Sequence, residues 1–288
     1  MKREQKNMLG GVSDIEDMVR SRRMIKQRPE TVGVVHRLQK GSKTMSLINT
    51  IDDLFNMLDK YAEGVDWNTF YIKRDKPAPF LKYNKLPDKC VVDFIREHHI
   101  KNACEFGCGE GRNAIYLAKN DIVTEAYDVS EIAIENAKRN AKESKAEKVV
   151  FKAENIFALD LKDKKFDLVI DSGIFHHLTP HRRLQYRDIV SNILAEKGHF
   201  ILVCFAAGED GGDEVDDYEF YRSKQAGVAF TEERLRKFWG EKFDVTDLRK
   251  GENIVNDQMW ESEYLYICVC SKSLVNNHKE GKHNIWKL

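Results

Sequence analysis

Apolar and polar positions follow two alternating periods from residue 87 onwards. Short apolar runs, typical of buried strands, are followed by stretches in which apolar residues recur every three or four positions, as in amphipathic helices. The strand-like runs cover residues 101–106, 122–127, 148–153, 166–171 and 199–206. The helical patterns cover residues 87–99, 110–120, 131–144, 180–194 and 231–239. This alternation predicts an α/β fold with a doubly wound, Rossmann-like sheet whose strands are mostly parallel.

Two further strand-like runs, residues 243–248 and 264–270, follow each other without a helical pattern between them. Strands joined without a crossover helix pair in antiparallel fashion. We therefore expect a seven-stranded sheet that ends in an antiparallel C-terminal pair at one edge. This feature distinguishes the predicted sheet from that of dinucleotide-binding proteins, whose strands all run parallel.

The segments outside this core differ in composition. Residues 1–44 carry eleven Lys or Arg against five Asp or Glu, with Pro and Gly interruptions, and are predicted to be a flexible extension. Met45 follows a Lys-Gly-rich stretch and is a candidate for the true start. Residues 45–100 predict a helical, aromatic-rich cover, residues 101–271 the main domain and residues 272–288 a polar tail.

Composition limits the possible partners. Lys plus Arg and Asp plus Glu both total 47, so no overall positive charge favours binding to nucleic acid. No apolar stretch approaches the roughly 20 residues of a membrane helix, and no secretory signal is visible. The six cysteines lack zinc-binding spacing. We expect reduced thiols, a cytoplasmic location, no metal, and a small-molecule or protein substrate.

A glycine-rich turn joins the first strand to the next helix in the stretch Glu105-Phe-Gly-Cys-Gly-Glu-Gly-Arg112. Gly107, Gly109 and Gly111 let the backbone turn tightly and approach a ligand closely. The start of the helix offers unpaired N–H groups to an anionic group. Arg112 stands where a dinucleotide fingerprint would place its third glycine, which disfavours a nicotinamide cofactor.

Polar residues also follow the second and third strands. Asp128 can accept hydrogen bonds from both hydroxyls of a ribose; its alternative role is that of a helix N-cap, which Ser130 could fill instead. Glu154 and Asn155 could bond the edge of an adenine ring that Val129 and Ile156 enclose. An adenosine would then lie at the switch point beside the first strand.

These residues resemble class I S-adenosylmethionine-dependent methyltransferases over Trp67 to Cys270. Residues 105–111 resemble the first motif of that family, Asp128 the second, and residues 194–200 the turn into the fifth strand. The resemblance implies S-adenosyl-L-methionine as cofactor and S-adenosyl-L-homocysteine as product. The residues expected to bind the cofactor are Glu105, Gly107, Cys108, Gly109, Gly111, Arg112, Asp128, Val129, Glu154, Asn155, Ile156 and Asp171.

Two segments resemble the thiopurine and tellurite-resistance branch of the family. One is the aromatic cover from Trp67 to Phe80, and the other runs from Asp171 through residues 179–183 to Tyr186. Ser172 departs from the thiopurine pattern, which carries an arginine there, so thiopurine-like specificity is not expected.

Three segments are expected to wall the methyl acceptor. The lid residues are Trp67, Tyr71, Phe80, Tyr218, Tyr221 and Arg222, and the candidate general bases are His177, His176 and Asp171. Because His176 and His177 are adjacent, we expect their side chains to diverge. Packing or capping is the alternative role for these histidines, and a core position is the alternative for Trp67 and Phe80. Arg182 and Arg183 are expected to be solvated.

The function predicted from the sequence is transfer of a methyl group to S, N, O or a metalloid of a small molecule. Two alternatives stay open. A nicotinamide-dependent oxidoreductase shares the glycine turn and the acid after the second strand. A catalytically silent protein could keep the fold only to bind adenosylmethionine.

Overall fold

A computed structural model describes residues 48–62, 64–73, 79–208, 212, 214–223 and 227–273. The predicted extension, residues 1–44, and most of the predicted tail lie outside these ranges. The helices are α1 (Ile51–Ala62), α2 (Trp67–Lys73), α3 (Pro79–Lys82), α4 (Lys89–Glu97), α5 (Arg112–Lys119), α6 (Glu131–Glu143), α7 (Pro180–Ile193), α8 (Asp217–Ser223) and α9 (Glu232–Gly240).

The main sheet of the described chain has seven strands in the order β3-β2-β1-β4-β5-β9-β6. These strands are β1 (Asn102–Phe106), β2 (Val123–Asp128), β3 (Val149–Ala153), β4 (Phe166–Ser172), β5 (Leu194–Phe205), β6 (Phe243–Lys250) and β9 (Leu265–Lys272). Strands β1 to β5 pair in parallel, whereas β9 is antiparallel to both β5 and β6. The predicted sheet and its C-terminal antiparallel pair are confirmed.

The connection between β6 and β9 is more structured than the sequence pattern indicated. It contains a two-stranded ribbon, β7 (Ile254–Val255) paired with β8 (Trp260–Glu261). The backbone N–H of Trp260 donates to Pro87 O at 3.1 Å, so the ribbon docks on the segment that precedes α4. Two residues per strand are too few to produce a recognisable alternation in the sequence.

The central strands are buried on both faces, as the near-continuous apolar runs predict. One face of β4 and β5 packs Val169, Phe200 and Leu202 against α7 and α9, in a cluster that includes Tyr186 and Trp239. The opposite face packs other strand residues against α4 and α5; they include Leu168, Ile170, Ile201 and Val203. Within the described residues, no helix has the length and apolar character needed to cross a membrane.

The strand register brings the polar segments to one edge of the sheet. Phe106 pairs with Tyr127 on β2 and with Asp171 on β4, and Asp128 pairs with Ala153 on β3. Parallel strands end on the same side, so the turns that follow β1, β2, β3 and β4 lie next to one another.

Candidate functional site

The glycine turn after β1 has a backbone that only glycine adopts readily. Gly107, Gly109 and Gly111 have φ angles of +64°, +52° and +86°. A Cβ on Gly111 would lie 2.8 Å from a ring carbon of Phe151, and one on Gly109 would lie 2.6 Å from the hydroxyl of Tyr71. The turn is therefore packed from beneath by the sheet and from above by α2.

Asp128 lies at the end of β2 and faces this turn. Its Oδ2 accepts the backbone N–H of Gly109 at 2.9 Å, and its Oδ1 accepts that of Ser130 at 2.8 Å. The hydroxyl of Ser130 accepts the N–H of Ala133 at 3.1 Å, so Ser130 is the N-cap of α6. Burial raises the pKa of Asp128. Each carboxylate oxygen has two acceptor positions, which leaves capacity for two ribose hydroxyls.

Of the two apolar residues predicted to enclose an adenine ring after β2 and β3, one is exposed to solvent. Val129 is 55% exposed at the strand ends, whereas Ile156 is buried. The amide oxygen of Asn155 accepts the N–H of Phe157 at 3.0 Å and caps a short 3₁₀ turn. The backbone N–H of Glu154 donates to Asp128 O at 2.9 Å. These contacts hold the residues predicted to surround an adenine beside Asp128.

Glu105 positions the glycine turn from below. Its carboxylate accepts Asn113 Nδ2 at 3.0 Å and the backbone N–H of Ala114 at 2.9 Å, both in α5. Burial raises the pKa of Glu105 to about 8, although the nearby Arg112 opposes this shift. Glu105 links the start of α5 to β1, and these contacts support a structural role in place of the predicted direct contact with the cofactor.

Arg112 and Cys108 also face the protein interior. The guanidinium of Arg112 is paired with Asp88, donates to Ser172 Oγ at 2.9 Å and lies 5.0 Å from the Trp260 ring centre. The Cys108 side chain is buried in a cluster with Ala114 and Ile115, and burial raises the pKa of its thiol. Direct cofactor contacts by these two side chains are not supported. Arg112, which is held by these three contacts, therefore has a structural role.

Asp171 supports the turn after β4. Its two oxygens accept four hydrogen bonds, from the backbone N–H groups of Gly173, Ile174 and Phe175 and from the hydroxyl of Tyr186. The side chain is fully buried, and burial raises its pKa to about 6. A carboxylate with all its acceptor positions used cannot also take a proton from a substrate or bind a cofactor. The predicted roles of Asp171 as base and cofactor ligand are therefore replaced by a positioning role.

The two adjacent histidines touch each other, contrary to the expected divergence. His176 Nε2 lies 3.0 Å from His177 Nε2, because both residues belong to a 3₁₀ turn that turns their rings together. The His176 ring packs on Phe205 with centres 3.8 Å apart, and the His177 ring meets Trp67 edge-on at 4.8 Å. His176 is 4% exposed, so His177 is the more accessible of the pair.

An N-terminal cover, consisting of α1 and α2, lies over this site. The side-chain oxygen of Asn68 accepts the hydroxyl of Ser130 at 2.8 Å and so docks α2 at the start of α6. Trp67 contacts His177, and the hydroxyl of Tyr71 reaches the glycine turn. The side chain of Phe80 lies outside the described residues.

A C-terminal cover, consisting of α8 and residues 227–230, lies on the other side of the histidine turn. The N–H of Val228 donates to His176 O at 2.9 Å. Tyr218 is 77% exposed, and Arg222 pairs with Glu219 on the exposed side of its own helix at 2.7 Å. These two predicted lid residues do not line the site. Tyr221 does face the protein, where its hydroxyl bonds His181.

The basic residues at the start of α7 were the main feature that sequence reasoning missed. Arg182 and Arg183 are buried rather than solvated. Arg182 pairs with Asp59 at 2.6 Å and Arg183 with Asp217 at 2.6 Å. The positive end of the helix dipole disfavours cations at this position. Consecutive basic residues in a first helical turn were therefore a signal that acidic partners must come from elsewhere.

The comparisons with known proteins agree with this geometry. The methyltransferase-domain family matches residues 97–267, which include the glycine turn, Asp128 and the histidine turn. The chain belongs to the S-adenosylmethionine-dependent methyltransferases. This membership decides against a nicotinamide-dependent oxidoreductase.

Individual relatives are more distant. A 2-heptyl-1-hydroxyquinolin-4(1H)-one methyltransferase of Mycobacteroides abscessus is 30% identical over 120 residues, which are 41% of this chain and 53% of that protein. The chain thus spans about half the length of this curated relative. Solved structures show a similar fold at lower identity.

Two of these structures illustrate the shared methyltransferase fold. The 1,6-didemethyltoxoflavin-N1-methyltransferase of Burkholderia thailandensis, solved with 1,6-didemethyltoxoflavin and S-adenosylhomocysteine bound, is 16% identical. It has a TM-score of 0.56 and covers 79% of this chain and 92% of its own. TehB from Haemophilus influenzae is 15% identical, has a TM-score of 0.52, and covers 67% of this chain and 65% of its own.

The strand-end residues fit S-adenosylmethionine, the cofactor of this family. The glycine turn forms a cradle that Cβ atoms would fill, and Asp128 stands beside it with acceptor positions to spare. Val129 offers an apolar surface next to that carboxylate. Gly107, Gly109, Gly111, Asp128 and Val129 would hold S-adenosylmethionine.

Replacing Asp128 by Ala is expected to weaken binding of adenosylmethionine about ten- to hundredfold. A hydrogen bond to a charged group contributes about 1.5 to 3 kcal/mol, which corresponds to this loss of affinity. Isothermal titration calorimetry measures it. The control is Asp121→Asn, since Asp121 precedes the same strand and its side chain is 89% exposed. If the two variants bind adenosylmethionine with equal affinity, Asp128 does not contribute to the binding site.

Glu105→Gln is expected to change how stability depends on pH. The pKa of Glu105 rises from 4.5 to about 8 on folding, so the folded state holds a proton that the unfolded chain releases. This contribution to stability is fully present below pH 4.5 and is lost as the pH rises through about 8. The Gln variant should therefore gain stability relative to wild type between about pH 5 and pH 9. Urea unfolding at about pH 5 and pH 9 measures the free energy of unfolding of both proteins. The same difference between variant and wild type at the two pH values would contradict the prediction.

Proposed function

We propose that this enzyme transfers the methyl group of S-adenosylmethionine to a heteroatom of a small molecule, either sulfur, nitrogen, oxygen or a metalloid. The observation that carries the proposal is the enclosure of the histidine turn between two covers. Trp67 packs on His177 from the N-terminal cover, and Val228 bonds His176 from the C-terminal cover. Such an enclosure suits a compact methyl acceptor better than a folded macromolecule.

The names of two relatives support a small-molecule acceptor. The Mycobacteroides protein is named for a hydroxyquinolinone, and the Burkholderia structure contains 1,6-didemethyltoxoflavin. The even balance of charge in this chain, 47 basic and 47 acidic residues, also agrees with an acceptor other than nucleic acid.

The residues of the enzyme divide the task between binding and proton removal. S-adenosylmethionine supplies a methyl group carried on a positively charged sulfur. The glycine turn and Asp128 orient the cofactor, and the aromatic ring of Trp67 excludes water and can attract a cation through its π face. Alignment of the two reactants accounts for much of the barrier reduction in reactions of this kind, on the order of 7 to 11 kcal/mol.

His177 is the proposed general base for methyl acceptors that need one. Its Nε2 lies 3.0 Å from Nε2 of His176, and its ring contacts Trp67 of the N-terminal cover. The buried His176 then fixes the orientation of the His177 ring and shares its positive charge. A thiol with a pKa of about 8.5 is already partly ionised near neutral pH and depends on this base less than a phenol with a pKa of about 10.

The test of the proposed function is a methyl-transfer screen over thiols, phenols, amines and metalloid oxyanions, read by release of S-adenosylhomocysteine. We expect turnover with at least one of these small molecules. Robust methylation of intact proteins or RNA, with no transfer to any small molecule, would contradict the proposal. Tight cofactor binding without any turnover would instead identify a silent binding protein.

His177→Gln should separate methyl acceptors by their acidity. General base catalysis contributes about 10²- to 10⁴-fold, so methylation of a phenol should fall at least about a hundredfold. Methylation of a thiol should fall less than about tenfold, because the thiolate forms without help. Steady-state kinetics with one acceptor of each kind measures the contrast, and His99→Gln, an exposed histidine, is the control. Equal losses for both acceptors would exclude His177 as the base.

A further inference from the structure

The first turn of α7 carries three consecutive basic residues, and each is bonded to one or both of the covers. The side chains of His181, Arg182 and Arg183 are only 6%, 6% and 4% exposed. This turn begins at Pro180, three residues after His177, at the edge of the proposed methyl-acceptor site. Buried cations at a helix N-terminus require compensation, because the helix dipole and the loss of water both disfavour them.

His181 is bonded to both covers at once. Its Nε2 lies 2.8 Å from Asp59 Oδ1 on α1, and its Nδ1 lies 2.5 Å from the hydroxyl of Tyr221 on α8. A carboxylate only accepts, so Nε2 carries a proton. Burial lowers the pKa of His181, and in the neutral ring Nδ1 accepts the hydroxyl hydrogen of Tyr221. The same hydroxyl accepts the backbone N–H of His181 at 3.2 Å. One imidazole therefore connects the N-terminal cover to the C-terminal cover.

Arg182 and Arg183 reinforce the two halves of this connection. Arg182 donates to Asp59 through Nε and Nη2, and its guanidinium lies 4.7 Å from the ring centre of Phe157, beside the proposed adenine site. Arg183 donates to Asp217, the first residue of α8, at 2.6 Å. Each cover thus brings one carboxylate to the same helical turn.

The N-terminal cover depends on these polar contacts because α1 buries little apolar surface. Among the residues of α1, none is fully buried, and Ile51 and Tyr61 are 65% and 67% exposed. A helix held by few apolar contacts opens readily. Loss of a hydrogen bond in the turn that anchors α1 should therefore change how often α1 detaches.

We propose that His181 is a positioning residue that couples the two covers, so that α1 and α8 open and close together over the methyl-acceptor site. The proposal rests on the proposed function in identifying these segments as covers of that site. The physical basis is that one imidazole makes both bonds: Nε2 donates to Asp59, and Nδ1 accepts from Tyr221. Weakening either bond reorients the ring that makes the other.

Amide hydrogen exchange of the full chain tests this coupling without any methyl acceptor. In Tyr221→Phe, residues 51–62 should exchange about three- to tenfold faster, although the lost hydroxyl belongs to α8. In the reciprocal variant, Asp59→Asn, residues 217–223 should exchange faster by a similar factor, because coupling between two sites is mutual. Tyr218→Phe removes a hydroxyl from the same helix at an exposed position and should leave α1 unchanged.

The result that would overturn the proposal is an α1 exchange rate in Tyr221→Phe equal to that in Tyr218→Phe. A second measurement examines the imidazole itself. Long-range ¹H–¹⁵N spectra of the wild type should show His181 protonated at Nε2, with the signals assigned by their loss in His181→Gln. An Nδ1-protonated ring in the wild type would also overturn the proposal. Neither measurement needs turnover, so failure to find a methyl acceptor would leave both results interpretable.

Discussion

The turn between β1 and α5 is the constraint on which the rest of the site depends. Three glycines in the left-handed region reverse the chain within a few residues, and packing from Phe151 and Tyr71 leaves no room for side chains. This geometry brings the N–H of Gly109 to Asp128 and starts α5 directly above Glu105. A different backbone here would separate the ends of β1 and β2, and the proposed adenosine site would be lost.

Three buried carboxylates surround the site, and their hydrogen bonds give them different tasks. Glu105 and Asp171 bond groups of their own turns and helices, and burial raises their pKa values to about 8 and about 6. Asp128 accepts one protein N–H on each oxygen and keeps acceptor positions for a ligand. Asp171 accepts four hydrogen bonds from the protein, whereas Glu105 and Asp128 accept two each. Asp128 differs from Glu105 in its position at the end of β2, facing the glycine turn, and it is therefore the acid that we propose as the cofactor ligand.

The sheet, the glycine turn and Asp128 could be predicted from the sequence because their signals are local. Apolar periodicity reports burial within one element, and glycine spacing reports a turn within a few residues. The bond from His181 to Asp59 spans 122 residues, and no local pattern contains it. For the same reason the sequence suggested a base at Asp171 and a cofactor ligand at Arg112. Only the fold shows that Asp171 already accepts hydrogen bonds from the protein, including one from Tyr186, and that Arg112 pairs with Asp88.

The central claim is that the cofactor occupies the strand-end cradle formed by the turns after β1, β2 and β3. The most direct test is amide hydrogen exchange of the wild-type protein with and without saturating S-adenosylhomocysteine. The account predicts slower exchange in residues 107–111, 128–130 and 154–156 when the ligand is bound, because it covers the N–H groups of these turns. Saturated binding with unchanged exchange in all three segments would contradict it.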